Sequence, residues 1–251
     1  AKNMKQVLYG FGVAALLVLI GWQWQNNDST KVEETTVTES QPAEKVAYVT
    51  FDDGPSEITP GILDTLKKYD AKATFFLIGE EITEEREEIV KREIKEGHSV
   101  GVHTYCHKKE EIYCNKEYFW SDFEKCKTRI EEVIGKPVSL HRFPWGSNNG
   151  YVCPIVDNLM EELQKKKITS FDWNVSGEDS VAVGVPMASI YQNVKKDLDK
   201  YDSPIILLHD SNTMKNTAAV LPEILEMIKE KGYRFDTLAG REGYVFPKSW
   251  R

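Results

Sequence analysis

Asp52 and Asp53, adjacent in TFDDGP, are costly neighbours, because two close carboxylates repel unless a positive charge compensates them. His103 and His107, in HTYCH, stand four positions apart, so one helical turn or a tight loop can bring both imidazoles to one point. A divalent cation would answer both facts. Two imidazoles and one carboxylate hold such an ion and leave coordination positions open, the ligand set of a catalytic rather than a structural centre. Zn2+ is the expected ion, and Co2+, Ni2+ or Fe2+ suit similar ligands. Alone, an HxxxH pair is more often two unrelated histidines, and a lone Asp-Asp more often caps a helix or sits in a solvated turn. Their occurrence together, with Arg142 and His209 further along, reverses that balance.

These residues need a frame. Short β-rich runs are expected at Val46–Phe51, Ala73–Ile78, Ser99–His103, Ser139–Phe143, Ile168–Asp172, Ile205–Leu208 and Tyr233–Thr237. Amphipathic stretches such as Glu84–Glu96, Lys116–Ile134, Pro186–Lys200 and Ala218–Lys231 alternate with them, and Gly97 and Gly232 sit where helices should end. Strands alternating with helices predict an α/β fold on a parallel sheet. About seven units fit a distorted or incomplete (β/α) barrel better than an open doubly wound sheet, since no glycine-rich phosphate loop follows any strand. On that map Asp52 and Asp53 end the first strand, His103 ends the third, and Arg142 lies in the fourth. Asp172 ends the fifth, and His209 with Asp210 ends the sixth. Carboxyl ends of barrel strands are where catalytic residues from separate strands converge. His141, next to Arg142, should face the other way, into the helix layer, and His98 should close a helix exit.

The formal net charge of −8 disfavours a nucleic-acid partner. The N-terminal part reads differently from the rest. Lys2 and Lys5 precede an uncharged run, Gln6 to Asn27, whose apolar core Val7 to Trp22 is about long enough to span a bilayer. Trp22 and Trp24 fall where an interfacial belt would lie. No small-x-small cleavage pattern follows, so residues 1–24 are expected to be an uncleaved signal anchor rather than a cleaved signal peptide. Positive residues before the span place the remainder outside the cell, facing the wall. Residues 25–45, polar and Thr/Glu-rich, are expected to form a flexible tether, and residues 46–251 the catalytic domain. Oligomeric state is left open. Cys106, Cys114, Cys126 and Cys153 then lie in an oxidising compartment, where at least one disulfide or free thiols are both admissible.

TFDDGP, HTYCH, RFPWG (Arg142 to Gly146), Asp179 and LLH (Leu207 to His209) resemble, in order, the five motifs of the polysaccharide deacetylase family. These are the NodB-homology domains of carbohydrate esterase family 4. The resemblance spans roughly Val46 to Thr237 and implies a distorted (β/α) barrel. It implies metal ligation by Asp53, His103 and His107, and a general-base role for Asp52 toward the attacking water. It also implies oxyanion stabilisation by the Trp145 backbone N–H and a general-acid role for His209. Arg142 would orient Asp52, and Asp179 would partner His209 and raise its pKa. Two positions depart from the pattern. Trp145 stands where the family usually has tyrosine, and Ser180 follows Asp179 where it usually has tryptophan. The second departure leaves Asp172, in FDWN, as an alternative partner for His209. Trp173 and Tyr105 are candidate stacking surfaces for a sugar ring, and a Cys106–Cys114 bridge would stiffen the metal loop.

The implied reaction is metal-dependent removal of N-acetyl groups from cell-surface glycan. The expected tether favours peptidoglycan as the glycan partner. Chitin-like or biofilm polysaccharide, an O-acetyl ester, or a non-catalytic wall-binding role are the alternatives.

Overall fold

The protein is described by a computed structural model covering residues 44–251. The anticipated membrane anchor, and the anticipated tether except for its last two residues, lie outside the described residues. Among the described residues no helix is long and apolar enough to cross a membrane.

The core is built on β1 (Val46–Gly54) and β2 (Ala73–Ile78). β2 reads ATFFLI and is buried at every position, the mark of a parallel strand covered on both faces. Around them lie β3 (Ser99–Thr104), β4 (Leu140–His141), β5 (Thr169–Ser170), β6 (Val175–Ser176) and β7 (Ile205–His209). All pair in parallel, in the order β5-β4-β3-β2-β1-β7-β6, and β8 (Arg234–Phe235) pairs with the start of β1. The seven-stranded path is a curled half-barrel. Its curl follows from chain length: β5 and β6 lie at opposite ends of the path, yet only residues 171–174 join them, a link that spans at most about 18 Å.

Helices α1 (Thr59–Lys68), α2 (Glu87–Lys95), α3 (Lys109–Ile112), α4 (Lys116–Ile134), α5 (Val156–Lys165), α6 (Met187–Leu198) and α7 (Lys215–Glu230) complete the α/β alternation. α4 shows why they form. Asn115 caps it by accepting from the Tyr118 N–H, and Gly135, at φ 68°, ends it in the left-handed conformation that glycine tolerates best. Between them Phe119, Phe123, Cys126 and Ile130 recur at helical spacing and are buried, each large side chain contributing about 1.5–3 kcal/mol. The expected helix over Glu84–Glu96 begins instead as a separate 3-10 turn, Glu84–Arg86, before α2. β6, two residues long, carries no periodicity and was not anticipated.

All four cysteines are free thiols, so no disulfide forms. Cys126 faces the core from α4 and reaches the Leu77 carbonyl at 3.5 Å, behaving as a small buried hydrophobe. His141 is buried edge-on against Phe119, Phe123 and Phe143, and His98 accepts from the Ala73 N–H at 3.1 Å, both in packing roles as expected.

Gly101 on β3 is required by close approach. A Cβ there would lie 2.8 Å from the Phe76 ring and 2.9 Å from the Leu140 carbonyl oxygen. Gly101→Ala should therefore destabilise the domain by about 1–3 kcal/mol. A thermal melt equal to the native protein's would contradict this packing.

Candidate active site

Adjacent strand residues normally point to opposite faces, so Asp52 and Asp53 cannot both face one cavity on a regular strand. The register between β1 and β2 shifts between Asp52 and Gly54, and Asp53 takes φ 74°. This bulge turns both carboxylates into a cavity of about 400 Å³ at the carboxyl end of the sheet, together with His103, His107, Trp145, Trp173 and His209. Asp53, His107 and Trp145, all non-glycine, take positive φ, so backbone strain is stored beside this cavity.

Asp52 is buried and accepts from Arg142 Nη1 at 2.9 Å. Arg142 is wholly buried and also donates to Thr50 Oγ1 (2.6 Å) and to the carbonyls of Phe171 (2.8 Å) and Asp172 (3.1 Å). The guanidinium is thus fixed, and it fixes Asp52. Asp52 and His209 are register partners on β1 and β7, which places the two side by side on adjacent strands.

His103 is the penultimate residue of β3, and its Nδ1 lies 2.8 Å from the Arg142 carbonyl. A carbonyl only accepts, so Nδ1 carries the proton and Nε2 presents a lone pair. His103 Nε2 and His107 Nε2 lie 3.4 and 3.3 Å from Asp53 Oδ1. That oxygen is buried and has no hydrogen-bond partner. An ion with ligand distances of about 2.0–2.2 Å and tetrahedral angles separates its ligand atoms by about 3.3–3.6 Å. An orphaned carboxylate oxygen facing two imidazole nitrogens at these separations therefore fits a divalent cation, so Asp53, His103 and His107 form a group that could hold one. Burial would raise the Asp53 carboxyl, yet the imidazoles of His103, His209 and His107 hold it well below the usual carboxylate range.

His107 is positioned by a residue that sequence reasoning missed. Asp122, on α4, accepts from Thr104 Oγ1 (2.6 Å), Tyr105 N (2.8 Å) and Cys106 N (3.0 Å), which shapes the HTYCH loop. The available signal was its place between Phe119 and Cys126 on the buried face of α4, where a carboxylate needs donors.

His209 Nδ1 lies 2.7 Å from Asp179 Oδ1, while Asp179 Oδ2 accepts from His209 N (2.9 Å) and Thr217 Oγ1 (2.8 Å). Burial would lower the His209 pKa, but the hydrogen bond and charge of Asp179, with Asp53 and Asp52 nearby, raise it to about 9. Asp172 is not the partner of His209. Its carboxylate faces the other way and accepts from Ser147 N (2.9 Å), Ser147 Oγ and Phe246 N (2.7 Å). Tyr105 is also corrected. With His103 and His107 turned inward, the residue between them turns outward, packs on Gly79 and lies under Lys125 Nζ at 3.8 Å, away from the cavity. Trp173 lines the cavity, edge-on to Phe246, and the half-exposed Trp145 ring lies 4.5 Å from that of His107. Ser180 Oγ lies 3.4 Å from His209 Nε2. Asp210 points behind the site, where Thr59 Oγ1 donates to it at 2.7 Å, and burial beside Asp53 and Asp52 pushes it up to about 7.

A half-barrel with one carboxylate–imidazole cluster able to hold a cation, one Arg-held carboxylate and one Asp-held histidine is suited to hydrolysis. Comparison with known proteins names the class. Residues 39–162 match the family described as Polysaccharide deacetylase. A peptidoglycan-N-acetylglucosamine deacetylase of Bacillus cereus is 39% identical over 196 residues, covering 76% of this chain and 68% of that protein. A bifunctional xylanase/deacetylase of Pseudobutyrivibrio xylanivorans is 31% identical, covering 91% of this chain but 34% of that larger protein. Among solved structures, the catalytic domain of peptidoglycan N-acetylglucosamine deacetylase from Eubacterium rectale superposes with a TM-score of 0.74 at 30% identity, covering 83% and 96% of the two chains. The chain belongs to the polysaccharide deacetylase family, and it is a carbohydrate esterase family 4 hydrolase. The family match ends before Asp179 and His209, so the pairing of those two rests on the geometry above.

Proposed function

We propose that this chain is a zinc-dependent deacetylase that removes N-acetyl groups from peptidoglycan, releasing acetate and leaving a free amino sugar. The observation that carries the reading is the orphaned Asp53 Oδ1, set between two imidazole nitrogens in the cavity that also holds Asp52 and His209.

Asp53, His103 and His107 would hold the cation, which when bound lowers the pKa of water to about 7 and polarises the acetyl carbonyl. Asp52, anchored by Arg142, takes the proton from the attacking water. A C–O bond forms at the carbonyl carbon, and the electron pair of the C=O moves onto oxygen. Trp145 presents a backbone N–H that finds no backbone acceptor among the described residues, and it donates to this oxyanion. The oxyanion's pair then re-forms the C=O as the C–N pair leaves on nitrogen, to which His209 Nε2 delivers a proton, and the Asp179 carboxylate stabilises the imidazolium until that moment. Trp173 and Trp145 supply apolar faces beside the reacting group. Peptidoglycan is favoured over xylan or chitin because the Bacillus and Eubacterium relatives bear that activity in their names. The uncharged run Gln6–Asn27 supports a single-pass anchor, with the catalytic domain outside the cell facing its wall.

The test compares the native chain with His103→Ala/His107→Ala. The native chain should hold one divalent ion and release acetate from purified peptidoglycan, with activity lost to a chelator and restored by Zn2+. The double variant should retain its fold, lose the ion and lose activity. Equal metal content in the two proteins would sink the ligand assignment.

A further inference from the structure

The geometry points to Asp172 as a positioning residue that ties the C-terminal segment Tyr244–Phe246 to the Trp145–Gly146 turn, and so sets the aim of the oxyanion donor. The inference rests on the Trp145 role proposed above.

The turn is held on both sides. Gly146 N closes it onto the Phe143 carbonyl at 2.9 Å, with Trp145 at φ 62° and Gly146 at φ 81°. A left-handed tryptophan is strained, so neighbouring groups must hold it there. Tyr113 Oη (3.0 Å) and Asn149 Nδ2 (3.1 Å) both donate to the Pro144 carbonyl. On the exit side Asp172 Oδ1 accepts from Ser147 N at 2.9 Å and Oδ2 accepts from Ser147 Oγ.

The same carboxylate reaches the chain's last segment. Asp172 Oδ2 accepts from Phe246 N at 2.7 Å, and Asp172 N donates to the Tyr244 carbonyl at 2.6 Å. Phe171 and Tyr244 form a parallel bridge. Phe246 then packs so closely on the turn that a Cβ on Gly146 would lie 2.9 Å from its ring and 3.0 Å from Trp173. Residues 171–174 are the link between the two ends of the half-barrel. The C-terminal segment therefore braces the open side of the sheet, and Asp172 passes that support to the turn. Asp172 is fully buried and its carbonyl also accepts from Arg142 Nη2 at 3.1 Å, so one residue supports both the base's anchor and the oxyanion turn. A buried carboxylate away from the reacting atoms is costly unless its hydrogen bonds are put to such use.

A misaimed oxyanion donor weakens transition-state binding without weakening ground-state binding. Asp172→Asn should thus lower kcat by about 10- to 100-fold, with KM within about twofold and metal content unchanged. Ser147→Ala, a milder change that removes only the Oγ bond, should lower kcat by about threefold or more with the same unchanged KM. Both are measured on N-acetylated glycan beside the native chain, with circular dichroism and metal analysis. If Asp172→Asn fails to fold, Ser147→Ala decides the question. A folded variant with native kcat, or one whose loss lies in KM or in metal content, overturns the inference. Failure of the native chain itself to release acetate would instead overturn the proposed function.

Discussion

Replacing Asp52 by Asn is expected to lower kcat by about 10²–10⁴-fold while the cation stays bound. The side chain keeps its shape and still offers an acceptor oxygen to Arg142 Nη1, now 2.9 Å from Asp52 Oδ1, so the buried guanidinium is not orphaned. The metal group does not depend on this residue, because Asp53, His103 and His107 converge without it. An amide cannot take a proton from water, so the chemical step alone suffers. Steady-state kinetics with metal analysis on the same sample checks the expectation. Loss of the cation in Asp52→Asn would mean that Asp52 is a ligand, and near-native kcat would mean that another group is the base.

Activity should also fall as pH rises through the His209 pKa, since the acid must be protonated when the amine departs. Asp179 raises that pKa to about 9, and a cation bound at the proposed site would oppose the rise, so the basic limb should lie at or below that value. Asp179→Asn retains an acceptor but removes the charge. The His209 pKa should drop, the basic limb should move to lower pH, and kcat near neutral pH should decline by about 10²-fold or more. Stability follows the same sign. A histidine whose folded-state pKa is raised contributes stability that is complete below about 6.5 and is lost as pH passes through its folded value. Identical pH profiles for the native and Asp179→Asn proteins would contradict the pairing.

The parts of the fold that could be read from sequence are those where one physical signal dominates. β1 and β2 are built on apolar runs buried on both faces, and they appear where the runs lie. α4 could be placed to the residue because an Asn cap, a helical apolar stripe and a terminal glycine agree. The candidate site was legible because its residues fall at or near the carboxyl ends of several separate strands. β6 was not, since a two-residue strand has no period and exists only through its pairing with β7. The inward turn of Asp53 depends on a bulge, and strict alternation would have sent it to the opposite face. Tyr105 was misplaced for a related reason, as a loop between two inward histidines aims its middle outward. Asp122 and Asp172 act by accepting backbone and hydroxyl donors from distant segments, and such partners are invisible until the chain is folded.

Mass spectrometry of muropeptides is the most direct measurement of what this site does. Purified peptidoglycan would be incubated with the chain and Zn2+, digested, and compared with a chelator-treated control. The account predicts amino-sugar units lighter by one acetyl group, in the metal-supplied sample alone. Unchanged muropeptides, from a folded and metal-loaded protein that releases acetate from chitin oligomers or acetylated xylan, would contradict it.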